Sequence, residues 1–216
     1  MSEYAEKLAR RLVGIGAVSF SPSKPFTWAS GLLAPMYCDN RRTLAYPDVR
    51  ALIERSFDEL LANLRLQPEA IIGVATGAIP HAAVLAERLG LPFGYVRASA
   101  KQHGKQNHIE GFSTPGSRIV VVEDLVSTGG SSLGAAMAAS GAGMRVEAVV
   151  AIFSYGFPMA DEAFERESIP LHAIVHLDDL MAAAEEAGGL NESDRITLNE
   201  WMADPVGWSE RRREDR

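Results

Sequence analysis

From residue 70 to residue 187 the chain alternates short apolar runs with helical stretches, and that alternation leaves few folds open. The runs are AIIGVAT (70–76), FGYVR (93–97), RIVVVED (118–124), RVEAVVAIF (145–153) and LHAIVHL (171–177). Around them, 79–89, 131–141, 159–167 and 178–187 have helical spacing. Such an alternation predicts a parallel sheet with helices on both faces. Strands covered on both faces read as unbroken apolar runs, as these do. Upstream, Tyr4, Leu8, Leu12 and Ile15 mark one helix over 2–15. Val49, Leu52, Ile53, Phe57, Leu60, Leu61 and Leu64 mark a second, opening near Pro47. The Pro-, Ser- and Gly-rich stretch 19–35 between them reads as loop. Downstream, a helix over 192–203 is expected to pack Ile196, Leu198 and Trp201, with Trp201 and Trp208 as packing anchors. The tail GWSERRREDR (207–216) reads as disordered.

One segment breaks the alternation. Residues 98–117, ASAKQHGKQNHIEGFSTPGS, have little apolar content and carry Lys101, His103, Lys105 and His108, with glycines at 104 and 111. A loop this long in a compact domain is usually functional or disordered, and a cationic loop hinged by glycines suits closure over an anion.

Composition narrows the function classes. The 28 acidic residues outnumber the 21 basic ones, for a net charge of -7. That excess argues against nucleic acid as the main partner, which usually needs a basic face. A small anionic ligand remains open, because a few placed amides and cations suffice for phosphate. No apolar run reaches the roughly 20 residues of a membrane helix, and the charged N-terminus does not read as a signal peptide. Cys38 is the one cysteine, which excludes an internal disulfide and a cysteine zinc site and fits the reducing cytoplasm.

The strongest local signal is VVVEDLVSTGGSS, residues 120–132. An apolar strand runs into Glu123 and Asp124, then into a Ser127-Thr128-Gly129-Gly130 turn, and a helix opens at Ser131. In an open α/β sheet, ligands bind beyond the carboxyl ends of the strands. Glycines let consecutive amides face one concavity, and the helix N-terminus adds positive potential, which makes a phosphate cradle. Two carboxylates at a buried strand end are costly unless used; here they suit the vicinal hydroxyls of a sugar. Three other patterns carry less. Gly130-Ser131-Ser132-Leu133-Gly134 spells G-x-S-x-G, but Ser132 falls inside the predicted helix rather than on a sharp turn. His172 and His176 share one strand face and read as buried strand histidines, not metal ligands. No G-x-x-x-x-G-K-[ST] is present, so the cradle is not that of a nucleoside triphosphatase.

Residues 120–132 resemble the phosphoribosyl diphosphate motif of type I phosphoribosyltransferases. PFTWASGLLAPMYCDNRRTLAYPDVR (25–50) is similar to the N-terminal signature of orotate phosphoribosyltransferases, ATGAIPHAA (75–83) to their diphosphate loop, and YVRASAKQHG (95–104) to their mobile catalytic loop. LNESDRITLNEWMADP (190–205) resembles one bacterial branch. This resemblance implies the type I phosphoribosyltransferase fold: a central, mostly parallel sheet flanked by helices, with a small N-terminal hood. Residues 1–216 would form a single domain, with 1–45 and the C-terminal part in the hood, 70–177 as core sheet and 98–117 as mobile loop.

The resemblance also implies transfer of the phosphoribosyl group of 5-phospho-alpha-D-ribose 1-diphosphate to orotate, in pyrimidine biosynthesis. It assigns Glu123 and Asp124 to the ribose hydroxyls, and Leu125, Val126, Ser127, Thr128, Gly129, Gly130 and Ser131 to the phosphate loop. Thr76 and Gly77 fall under the diphosphate. Arg97, Lys101 and His103 reach that diphosphate, typically from the other subunit of a homodimer. Lys101, His103 and Asp124 are the expected catalytic residues, and Mg2+ is expected to be held mainly through substrate, with no direct protein metal site. Ser127 matches an orotate contact. Where some members have lysines this chain has Ala29, Gly77 and Ala98, and where those members have an arginine it has Ser154 and Tyr155. Amides near Tyr37 and the side chain of Arg41 are the expected alternatives for the orotate carboxylate. A purine or uracil phosphoribosyltransferase would lack the 25–50 signature. A non-catalytic sensor of phosphoribosyl diphosphate would carry a DNA-binding appendage and lose the loop cations.

Overall fold

The computed structural model describes residues 3–28, 30–97 and 109–214. The chain opens with α1 (Glu3–Gly14), then β1 (Val18–Phe20), β2 (Phe26–Thr27), β3 (Leu33–Ala34) and β4 (Met36–Cys38). A 3₁₀ turn, Asn40–Ala45, leads into α2 (Pro47–Asn63). The alternating core follows: β5 (Ala70–Val74), α3 (Ile79–Leu89), β6 (Phe93–Val96), β7 (Ile109–Gly111), β8 (Arg118–Val126), α4 (Gly130–Gly141), β9 (Arg145–Ser154), α5 (Pro158–Arg166), β10 (Leu171–His176) and α6 (Leu177–Glu186). Two helices end the described chain, α7 (Glu192–Ala203) and α8 (Pro205–Glu214).

Six strands form one sheet in the order β10-β9-β8-β5-β6-β7, all parallel except β7, which runs antiparallel to β6. The central strands are buried through their middles. Ile71, Ile72, Val120, Val121, Val149 and Val150 are fully covered, because helices lie on both faces. The β5-α3-β6 crossover steps one way along the sheet and β8-α4-β9 steps the other. Right-handed crossovers therefore put α3 and α4 on opposite faces. Helices α1 and α2 share the α3 side, and α5 packs beside α4.

Several local expectations are corrected. The stretch 19–35 is not plain loop, since it holds β2 and β3, paired as a hairpin through Phe26↔Ala34 and Thr27↔Leu33. Strand β7 lies inside the expected loop 98–117, leaving 98–108 outside the described residues. The segment 207–214 is helical, not disordered. Trp208 and Ser209 are buried, and the Ser209 hydroxyl accepts a hydrogen bond from the Leu33 amide at 2.9 Å. Within α7, Leu198 and Trp201 pack as expected, but Ile196 is exposed. His176 is also exposed, at the start of α6, and His172 is half-buried.

One buried histidine gives the fold a pH dependence. His81 on α3 is buried, its Nε2 3.3 Å from the Thr43 hydroxyl. Burial, and then the charge of Arg50, lower its pKa to about 4. The unfolded chain therefore binds a proton near pH 6.5 that the folded chain refuses until about pH 4. Stability from this group is complete above pH 6.5 and is lost as pH falls toward 4, by about 3 kcal/mol in all. Denaturant titrations at pH 7.5 and 4.5 are expected to show a smaller loss for His81→Gln than for the unaltered chain. Equal losses would refute the assignment.

Candidate active site

The site lies at the carboxyl ends of β5 and β8, where adjacent cavities share walls. One, of about 350 Å³, is lined by Asp39, Asn40, Arg41, Thr76, Gly77, Glu123, Asp124 and Ser131, among others. A second, of about 310 Å³, is lined by Trp28, Ser30, Tyr37, Cys38, Leu125, Ser127 and Tyr155. They meet across Cys38 and Leu125, which line both. A third, of about 420 Å³, meets the first at Ala75 and Ser131 and includes Arg97 and Gly130. A larger cavity, about 530 Å³, lies between α1 and α2 beside Lys7, Arg11 and Asp48, and holds none of these residues.

Strand geometry separates the two carboxylates. Neighbours in a strand point to opposite faces, so Glu123 turns toward the start of α4 and Asp124 toward α3. The Glu123 carboxyl accepts hydrogen bonds from the Asp124 amide at 3.0 Å and the Ser131 hydroxyl at 3.3 Å. It is 4% exposed. That burial, followed by the hydrogen bonding and charge of the neighbouring Asp124 carboxyl group, pushes its pKa well above the usual carboxylate range, against the lowering effect of the Asp124 amide and Ser131. Asp124 is held differently: its backbone carbonyl accepts from Asn40 Nδ2 at 2.5 Å. The Asn40 carbonyl accepts in turn from Thr43, so the 3₁₀ turn after β4 is fastened to the end of β8.

Two glycines are required by close approach. Gly129 has φ +79°, and a Cβ there would stand 3.1 Å from Phe164 and 3.3 Å from Ala160 Cβ. It precedes α4, whose first turn has no side-chain cap, so the leading amides of α4 remain for a ligand. At Gly77 a Cβ would fall on the Asp124 carboxylate. A substituent there must turn that carboxylate aside. Gly77→Ala is expected to raise the KM for the phosphorylated sugar substrate about tenfold, the scale of one displaced charged contact, with an unchanged melting temperature. An unchanged KM would show that the carboxylate does not hold that substrate.

The structure brings together most of the residues singled out from the sequence. Thr76, Gly77, Glu123, Asp124, Leu125 and Ser131 line the first cavity, and Ser127 and Tyr37 the second. Val126 is buried beneath them, and Thr128 and Gly129 form the turn before Gly130. Arg97 stands at the third cavity, 3.4 Å from Glu110. Arg41 sits on the Asp124 side rather than beside Ser127, and pairs with Asp39 at 2.6 Å. Lys101, His103, Lys105 and His108, with Ala29 and Ala98, lie outside the described residues. Asn40, Trp28 and Ser30 were not singled out, and Tyr155 only as a residue standing where some members have an arginine. The signature segment contained the first three, but nothing in their spacing marked them. Ser132 is fully buried in α4 and donates to the Gly129 carbonyl, which is no place for a nucleophile. Burial, and then the charges of Asp124 and Asp39, push the Cys38 thiol far up, so it stays a packed thiol rather than a thiolate. Among the described residues no three His, Cys, Asp or Glu side chains gather as a metal site.

The comparisons agree with this geometry. The phosphoribosyl transferase domain model matches residues 43–154. The orotate phosphoribosyltransferase of Bacillus caldolyticus is 48% identical over 201 residues, 93% of this chain and 97% of that protein. The crystal structure of orotate phosphoribosyltransferase from Aeropyrum pernix superposes with a TM-score of 0.73 at 32% identity, covering 85% of this chain and 99% of that one. The Mycobacterium tuberculosis H37Rv orotate phosphoribosyltransferase, in complex with 5-phospho-alpha-D-ribosyl 1-diphosphate, superposes with a TM-score of 0.66 at 28% identity, covering 82% and 98%. A carboxylate pair at one strand end, an uncapped glycine-led helix beside it and matches over nearly the full length converge, and the chain belongs to the orotate phosphoribosyltransferase family.

Proposed function

We infer that the chain transfers the phosphoribosyl group of 5-phospho-alpha-D-ribose 1-diphosphate to orotate. The products are orotidine 5'-monophosphate and diphosphate, and the reaction is a step of pyrimidine biosynthesis. The observation that carries this reading is the meeting of two cavities at Leu125, one walled by rings and one by carboxylates. A flat base in the first would present its nitrogen to a sugar carbon in the second. Relatives named for this activity cover nearly the whole chain.

The C1'–oxygen bond to diphosphate breaks and the orotate N1–C1' bond forms, so positive charge develops on the ribose and negative charge on the leaving group. Positioning and charge stabilisation supply most of the catalysis in such a reaction. On this reading Glu123 and Asp124 bind the ribose hydroxyls. The amides and hydroxyls of Ser127, Thr128, Gly129, Gly130 and Ser131 bind the 5'-phosphate, with Leu125 and Val126 setting the loop's entry. Thr76 and Gly77 lie under the diphosphate. Arg97, Lys101 and His103 offset its charge, and His103 is able to supply a proton. Ser127 and Tyr37, which line the ring-walled cavity, serve the orotate, whereas Arg41, expected there too, lies in the carboxylate-walled cavity paired with Asp39. Glu123 and Asp124 are hard oxygen donors, and among the described residues no third His, Cys, Asp or Glu gathers with them as a metal site, a set that fits Mg2+ held chiefly by substrate oxygens and water. When bound, Mg2+ neutralises diphosphate charge. The active unit is a homodimer in the cytoplasm, with the 97–103 segment serving the partner's site.

Incubation with Mg2+, phosphoribosyl diphosphate and orotate, followed by orotate absorbance, tests the reading. Loss of absorbance is expected with orotate, and no conversion with uracil or adenine in its place. Conversion of uracil or adenine instead would move the chain to another base.

A further inference from the structure

The base-side cavity is walled by residues from the β2–β3 hairpin, and that hairpin is held from behind by the last two helices. Trp28 and Ser30 come from its turn. Two hydrogen bonds fix that turn from α8. The Leu33 amide donates to the Ser209 hydroxyl at 2.9 Å, with Ser209 fully buried, and the Arg213 guanidinium donates to the Gly31 carbonyl. Helix α7 adds a ring. Trp201 is 1% exposed and meets Trp28 edge-on at 5.6 Å and 89°, and Tyr155 at 5.7 Å and 80°. Trp28 and Tyr155 are themselves 5.2 Å apart. Trp201 does not line the cavity, yet it backs two of the rings that do.

We propose that the α7–α8 pair sets orotate recognition, with Trp201, Ser209 and Arg213 as positioning residues for the hairpin that carries Trp28 and Ser30. The proposal rests on the orotate reading above. It assigns the helices a role on the base side alone, because the cavity lined by Asp124, Thr76 and Gly77 takes no residue from α7 or α8. Hairpin drift then weakens base binding and leaves the sugar-phosphate contacts intact.

The experiment is steady-state kinetics of the full chain carrying Ser209→Ala, Arg213→Ala, both together, Trp201→Leu or Trp201→Phe. Each lost hydrogen bond is expected to raise the KM for orotate about three- to tenfold. The KM for phosphoribosyl diphosphate stays unchanged. Trp201→Leu raises the orotate KM in the same selective way, and Trp201→Phe, which keeps a ring, recovers most of the loss. Arg213 is exposed, so Arg213→Ala decides the matter if the buried variants fail to fold. Equal rises in both KM values, or an unchanged orotate KM in folded Arg213→Ala, would overturn the proposal alone. Failure of the unaltered chain to convert orotate would overturn the functional reading, and the proposal with it.

Discussion

Asp124→Asn is expected to lower turnover by about 10²- to 10³-fold, the scale of losing one group aimed at developing charge, while the melting temperature holds. The two neighbouring carboxylates are not equivalent. Asp124 lines the cavity, with its backbone fixed by Asn40. Its negative charge sits where the sugar becomes positive on the proposed mechanism. Glu123 is buried, bonded to Ser131, and holds its proton more tightly than an ordinary carboxylate. Glu123→Gln keeps the side chain's shape and an oxygen for Ser131, so its expected loss is about tenfold or less, one hydrogen bond's worth. Circular dichroism confirms folding of both variants, and initial rates of orotate loss give the ratio. A Glu123→Gln defect as large as that of Asp124→Asn would mean that Glu123 works as an anion.

Lys101→Ala is expected to cost at least about 10²-fold in turnover. The chemical argument is a charge balance. The described cations near these cavities, Arg41 and Arg97, stand beside carboxylates of their own, whereas the departing diphosphate needs cations not already neutralised. In the spacing Arg97-x3-Lys101-x-His103 it is Lys101 and His103 that supply them in sequence. If they act across a homodimer, mixing Lys101→Ala subunits with Asp124→Ala subunits assembles some sites with both residues intact, and activity returns in part. Mixed dimers without recovery would place the segment in its own subunit's site, and a near-normal Lys101→Ala rate would remove it from the mechanism.

The parts of this molecule that were legible in sequence are those whose partners are forced. Strands β5, β8 and β9 are covered on both faces through their middles, so their residues there had to be apolar, and their bounds fall within a few residues of expectation. The same logic exposed the site, since Glu123 and Asp124 interrupt such a run where apolar residues would be cheaper. What stayed hidden depends on distant partners. Helix α8 has charge all round, and only its Trp208 and Ser209 reach the interior, where a hairpin more than a hundred residues upstream receives them. Strand β7 is three residues at a sheet edge, too short and too polar to signal itself. Asn40 acts through one side-chain hydrogen bond to the Asp124 carbonyl, and Tyr155 through ring packing with Trp28 and Trp201. Neither role has a spacing rule.

The bond from Leu33 to Ser209 spans 176 residues and that from Gly31 to Arg213 spans 182. Contacts this remote in sequence form late, because the intervening chain must first be drawn together. During synthesis the sheet with Asp124 emerges well before α8. On the proposed role of α7 and α8, a nascent chain thus gains its sugar-phosphate half before the residues that set its selectivity for the base leave the ribosome. By the same timing, a fusion or truncation near residue 209 is expected to blunt discrimination among bases before it touches catalysis.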